Sequence, residues 1–153
     1  MRLRTAAAAA LALTLAALLA PAPALAAAPP HGPSAAAGQR ALTPAEQKVD
    51  TFFARYRQDI LDGNVGDAKR ARHAYMTPQL NQKLDQWAAT HDADPVFRAE
   101  NVPTDWTVGY GGSGAGHTTV ILTEEFGDGS SIQVWYQLRL SDLVINDLEN
   151  APV

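Results

Sequence analysis

"SIQVWYQLRL", residues 131–140, alternates along its whole length. Ile132, Val134, Tyr136, Leu138 and Leu140 fall on one face, and Gln133, Trp135, Gln137 and Arg139 on the other. A period of two over this length predicts a β-strand with one face in a core and one in water. Sheets of that kind are antiparallel. Gly127-Asp128-Gly129, just upstream, reads as a hairpin turn. It joins this strand to "HTTVILTEEF", His117 to Phe126, a second strand. Before it, "WTVGYGG" alternates Trp106, Val108 and Tyr110 against Thr107 and Gly109. "LVINDLE", residues 143–149, is a fourth strand if Ser141-Asp142 makes a turn.

Upstream the period changes. "LTPAEQ" begins a helix: Thr43 is an N-cap, Pro44 suits the first helical position and Glu46 completes a capping box. Val49, Phe52, Phe53, Tyr56 and Ile60 recur at helical spacing, and Asp62-Gly63-Asn64 ends the run. The helix of about 18 residues is roughly 27 Å long, and its aromatic stripe needs a wide apolar surface opposite. Asp67 to Tyr75 reads as a weaker helix, with Lys69, Arg70 and Arg72 on a solvated face or, second, an anion patch. Thr77 and Pro78 start a third, with Leu80, Leu84, Trp87 and Ala88 as its buried stripe. Helices first and strands after predict an α+β fold: N-terminal helices packed on one face of a curved antiparallel sheet of three or four strands.

The first 26 residues read as a secretory signal peptide. Arg2 and Arg4 precede an apolar run from Ala6 to Ala20, broken only by Thr14, and Ala24-Leu25-Ala26 is an A-x-A cleavage signal. The run is too short for a spanning helix. Residues 27–41, "AAPPHGPSAAAGQRA", lack bulky apolar side chains and are expected to form a disordered tether, with His31 solvated in it. One compact fold over residues 42–150 is expected to follow; about 110 residues can bury roughly 65% of their unfolded surface. The chain has 12 Lys+Arg against 16 Asp+Glu, and loss of the leader takes two of the bases, leaving a net charge of −6. An acidic exported chain is a poor partner for nucleic acid and other polyanions. There is no cysteine, so neither a disulfide nor a lipidated Cys contributes.

Little in the chain carries chemistry. "HDADPVFRAENVPTDW", residues 91–106, offers Asp92, Asp94, Glu100 and Asp105 as oxygen ligands. A hard cation wants six or more oxygens, usually in a glycine-bent loop, and here Pro95 follows Asp94 directly. The better reading is a connector: Asp94 caps a turn started by Pro95, Phe97 drops into the core, and Pro103 leads into the sheet. "GYGGSGAGH", from Gly109, lacks the Lys-Ser/Thr of a phosphate loop, and Ser113 lacks the second glycine of a nucleophile elbow. It is expected to be a long flexible hairpin loop. His31, His73, His91 and His117 have no zinc spacing, and nothing favours a Ser-His-Asp triad. No metal and no cofactor is expected. Trp135, among Gln133, Gln137 and Arg139, has the composition of a binding surface; the plainer alternative packs it under a loop or the Arg139 stem.

The capped helix carrying "FFARYR", the helical pair and a sheet ending in "VINDLE" resemble the cystatin-like cone of the nuclear-transport-factor-2-like superfamily, from Leu42 to Glu149. Within it, "DADPVFRAENVPTDW" is similar to a bacterial family of small exported domains of unknown function, which show an Asp-x-Asp-Pro segment, an aromatic, an Ala-Gln/Glu step and a later Trp. The resemblance implies a cone that encloses a cavity. Some members use it for isomerase or dehydratase chemistry, and many only bind or dimerise. A ketosteroid-isomerase-like site needs an Asp base facing a Tyr/Asp pair. Tyr56, Tyr75, Tyr110 and Tyr136 are available, but no Asp falls at an inward strand position before Asp147, which could point inward.

The reading that follows is a secreted, non-catalytic binding or interaction module, with Trp135, Gln133, Gln137 and Arg139 as binding residues. Its partner would be a protein, peptide or cell-wall ligand, with no membrane contact after cleavage and a homodimer through the sheet. The alternatives are a small cone-cavity enzyme of isomerase or hydrolase type, and an immunity-type partner of another exported protein. Export makes one direct prediction: protein recovered from culture medium begins at Ala27, with cleavage after Ala28 as the second site. An N-terminus at Met1 would overturn it.

Overall fold

The computed structural model describes residues 40–152. The leader, His31 and all of the expected tether but Arg40 and Ala41 lie outside the described residues. Three helices, α1 (Pro44–Leu61), α2 (Val65–Tyr75) and α3 (Pro78–Ala88), precede four strands, β1 (Asp105–Gly114), β2 (His117–Glu125), β3 (Ser131–Arg139) and β4 (Ile145–Asn150). The strands form one antiparallel sheet in the order β1-β2-β3-β4. The fold is therefore α+β, as the change of period predicts.

The start of α1 is a full capping box. The Thr43 hydroxyl accepts from the Glu46 amide at 3.3 Å, and the Glu46 carboxylate accepts from the Thr43 amide at 2.7 Å. Arg40 adds its guanidinium to both Glu46 oxygens. That hydrogen bond outweighs burial and, with those from Thr43, lowers the Glu46 carboxyl to about 2. At the other end Gly63 takes φ +73°, which frees the chain to leave the helix. α2 starts two residues earlier than its pattern suggests, because the Asn64 carbonyl accepts from both Asp67 and Ala68. Thr77 caps α3 through the Leu80 amide.

Arg72 corrects the reading of α2 as a solvated basic face. Its guanidinium is buried and donates to the Asn81 side chain and carbonyl and to Asp85 at 2.9 Å. It ties α2 to α3. A buried Arg must be paired and hydrogen-bonded, and sequence spacing shows neither partner.

α1 lies on β1 and β2, α2 packs on α1, and α3 contacts β4. Val49, Phe52, Phe53 and Tyr56 are buried from α1, with Leu80 and Leu84 from α3. They meet Val120 and Leu122 of β2, Val134, Tyr136 and Leu138 of β3, and Ile145 and Leu148 of β4. Ile132 is only partly buried, and Leu140 is 52% exposed, against expectation. The strand ends at Arg139, so Leu140 already belongs to the turn, where its amide bonds the Gly116 carbonyl. Ser141-Asp142 is a true turn: Leu143 donates back to Arg139, and the Asp142 carboxylate accepts from the Val144 amide.

The glycine-rich stretch is not a flexible loop. β1 runs through it to Gly114, with a bulge between Tyr110 and Gly112, and only Ala115-Gly116 turns the chain, at φ 49° and 80°. Two successive positive φ values make the tight turn whose twist matches a hairpin. At Gly111 a Cβ would sit 3.0 Å from the Ile121 and Thr119 side chains, so any larger residue there would have to displace them.

Thr43→Ala removes the cap and is expected to cost about 1 kcal/mol. Thermal unfolding should show a melting temperature several degrees lower with an unchanged far-UV spectrum. An unchanged melting temperature would mean the box does not hold α1.

Candidate functional site

The outer face of the sheet is set by register. Gly109, Ile121, Trp135 and Glu149 form one cross-strand row, and Thr119, Gln137 and Asp147 lie in the next. Thr119, Trp135, Gln137, Asp147 and Glu149 line a shallow depression of about 70 Å³. Trp135 is half-buried there, and its indole N–H is buried with no hydrogen-bond partner among the described residues. Gln137 accepts from Asn146 at 3.0 Å. From α3, Lys83 reaches the β4 side of the depression, 2.6 Å from Asp147 and 3.5 Å from Glu149. The Asp147 bond holds the Lys83 ammonium's pKa up. Burial opposes the Asp147 charge, but bonds from Lys83 and the Leu148 amide outweigh it and keep that carboxyl low.

The four sequence-predicted binding residues therefore divide. Trp135 and Gln137 share the depression. Gln133 lies one row away and donates to Thr123 at 3.4 Å. Arg139 is engaged by Asp142 at 3.2 and 2.7 Å in the β3–β4 turn. Asp147, which could have pointed inward, faces outward beside Gln137. Its partner Lys83 is 64 residues away in the chain and invisible to strand periodicity.

The 91–106 stretch is a corner. Asp94 accepts from the Val96 and Phe97 amides at 2.8 and 3.0 Å and from the Tyr56 hydroxyl at 2.9 Å. Phe97 is buried, as expected. His91 stacks on Trp87 at 4.0 Å, and Arg98 lies over the Trp87 ring at 4.4 Å. His91, Asp92, Asp94 and Glu100 line an open dish of about 430 Å³. Among the described residues no group of three or more His, Asp or Glu side chains is placed to hold a metal ion.

One residue escaped the sequence reading. Glu124 is 0% exposed, on the core face of β2 opposite Trp106 and Ile132. Neither carboxyl oxygen has a hydrogen-bond partner among the described residues. Burial, with a smaller push from Asp94, raises its pKa to about 9. Tyr136, also buried, has an unpartnered hydroxyl, and burial followed by the Glu124 charge raises its pKa well above the usual phenol. The signal was present: Thr118, Val120, Leu122 and Glu124 occupy one face of the alternation, and a search restricted to inward Asp passes over a Glu. Nearby, Tyr56, Ala68, Arg72, Asp85, Asp94 and Pro95 contribute to a groove of about 250 Å³ between helices and corner. At neutral pH Glu124 is an uncharged acid, able to donate a hydrogen bond and unfit to serve as a base.

No protein-family model matches the chain, and no curated protein matches it. Among solved structures, a protein of unknown function from Bacteroides thetaiotaomicron is similar to it, with a TM-score of 0.56 and 18% identity over 69% of this chain and 88% of that one. The likeness is one of fold.

Because the folded Glu124 keeps its proton and the unfolded one loses it near pH 4.3, the folded state binds more protons between that pH and about 9. Stability from this group is complete below the lower value and declines as pH rises through the window. Glu124→Gln, neutral at every pH, should flatten that decline and exceed the native chain by about 1–3 kcal/mol near pH 9. Urea unfolding across pH 5–9 checks it; parallel profiles for the two chains would refute the assignment.

Proposed function

We propose that the chain is an exported, non-catalytic binding module of the nuclear-transport-factor-2-like cone class, whose outer sheet face around Trp135 takes a protein, peptide or cell-wall ligand. The observation that carries this reading is Trp135 itself. A half-buried indole with an unpartnered N–H sits beside Thr119, Gln137, Asp147 and Glu149, which offer acceptor oxygens and, from Thr119 and Gln137, donors. An aromatic surface flanked by such groups suits a ligand that is apolar on one side and polar at its edges. The excess of acids argues against polyanions and in favour of neutral or basic partners.

A second reading, a cavity enzyme, draws on the buried Glu124 and Tyr136 and on the groove at Tyr56 and Asp94. The two readings separate cleanly, because Trp135 and Glu124 lie on opposite faces of the sheet. Cosedimentation of the mature protein with isolated cell-wall material, and titration with peptides followed by tryptophan fluorescence, test the first. Trp135→Ala is expected to weaken binding about tenfold or more, the cost of a central aromatic contact, with folding unchanged, while Glu124→Gln leaves it intact. Equal binding by the Trp135→Ala chain would overturn the sheet-face reading, and loss of binding or turnover on Glu124→Gln alone would favour the enzyme.

A further inference from the structure

The two edges of the sheet are treated differently. In the ladder, Phe126 donates to Ser130 and Ala151 to Gln133. With the printed registers, even-numbered residues of β2 and β3 bond each other, and odd-numbered residues of β2 bond β1 while those of β3 bond β4. The outward-pointing backbone of β4 therefore includes Leu148, and that of β1 includes Trp106, Val108 and Tyr110.

The β4 edge is covered at Ile145 and Leu148. The Leu148 carbonyl accepts from Arg98 at 2.9 Å, the Leu148 amide donates to the Asp147 carboxylate at 2.9 Å, and the Ile145 carbonyl accepts from the Thr77 amide at 2.9 Å, where Met76 adds a parallel bridge. On β1 only the Trp106 amide is covered, by Asp105 at 2.8 Å. Among the described residues no hydrogen bond takes the Trp106 carbonyl, the Val108 N–H and C=O or the Tyr110 N–H. Edge strands that resist pairing carry Lys, Pro or inward charges. From Trp106 to Gly116 there is no charged residue and no proline. The deterrents flank the open run: Asp105 and the Arg57 guanidinium, bonded to the Pro103 and Thr104 carbonyls, stand before it, and the bulge between Tyr110 and Gly112 ends it.

We propose that the β1 edge is an interaction surface for a second copy of this chain, paired antiparallel about a two-fold axis at Val108. A row of open N–H and C=O groups is matched only by another extended backbone. The strand is self-complementary in that arrangement. Val108 meets Val108 of the second copy, Trp106 meets Tyr110, Thr107 meets Gly109 and Asp105 meets Gly111, so no like charges are opposed. Tyr110, 55% exposed in the single chain, gains an aromatic cross-strand partner. The two-fold makes the contact isologous and closed, so it stops at a dimer.

Sedimentation of the mature chain over a range of concentrations, combined with amide hydrogen exchange, tests this. A dimer is expected to form with concentration, and the Val108 and Tyr110 amides to become protected in step with it. Gly109→Lys places charges within diagonal reach of each other across the two-fold, at a site where an added Cβ meets nothing closer than 4.0 Å. It should raise the dimer dissociation constant about tenfold or more, whereas Trp135→Ala leaves it unchanged. A chain that stays monomeric, or a dimer whose Val108 and Tyr110 amides exchange as freely as in the monomer, would overturn the proposal.

Discussion

Phe52 and Phe53 are adjacent, so on an α-helix they point about 100° apart, yet both are fully buried. A helix with two such faces must be enclosed from more than one side. Phe52 meets Tyr75 at the end of α2, 5.5 Å between ring centroids, and Tyr136 of β3 at 6.3 Å. Phe53 meets Phe97 of the corner at 5.6 Å and Trp106 of β1 at 5.3 Å. Burial of each ring contributes about 1.5–3 kcal/mol. These contacts recruit the sheet, the second helix and the corner to α1, and they explain why the polar stretch at 91–106 turns inward: Phe97 is drawn in, and Tyr56 packs on it at 5.4 Å.

The same enclosure decides the state of the polar groups beside it. Asp94 must stay near Phe97, and it does so by capping the Val96 and Phe97 amides while accepting from Tyr56. Three hydrogen-bond donors are satisfied by one carboxylate. Glu124 has no such partners, and an unpaired carboxylate in an apolar interior costs far more than its neutral form. The neutral form is therefore the one the fold selects. Arg72 is the contrasting case: nearly as buried, it is surrounded by acceptors from α3 and ties two helices together.

The elements were legible because each is marked by local chemistry. Thr43-Pro44 and Thr77-Pro78 announce helix starts, and the period of two from Trp106 onward announces the sheet. The glycine-rich segment misled because glycine signals two things. At Gly116 it marks a turn, but at Gly111 it marks close approach to Thr119 and Ile121 inside a strand. The Arg72–Asp85 and Lys83–Asp147 pairs were not legible, since partners 13 and 64 residues apart are set by packing rather than spacing. The depression was half legible: alternation places Trp135 and Gln137 together, but only the β3–β4 register brings Asp147 and Glu149 beside them.

A four-stranded antiparallel sheet has two faces and two edges, and the core can occupy one face only. α1 and α3 take the inner face. Thr77, between α2 and α3, and Arg98, between α3 and β1, cover the β4 edge. Nothing in the connectivity carries chain past β1 or over the outer face among the described residues. The surfaces left uncovered among the described residues are thus the outer face, where an indole and two carboxylates lie in adjoining rows, and the β1 edge, where the open backbone from Trp106 to Tyr110 carries no charge. An aromatic on water-facing β3 and a strand edge without lysine or proline both run against what solubility alone favours. Both stand out against helices capped at Thr43 and Thr77 and a β4 edge covered at Ile145 and Leu148.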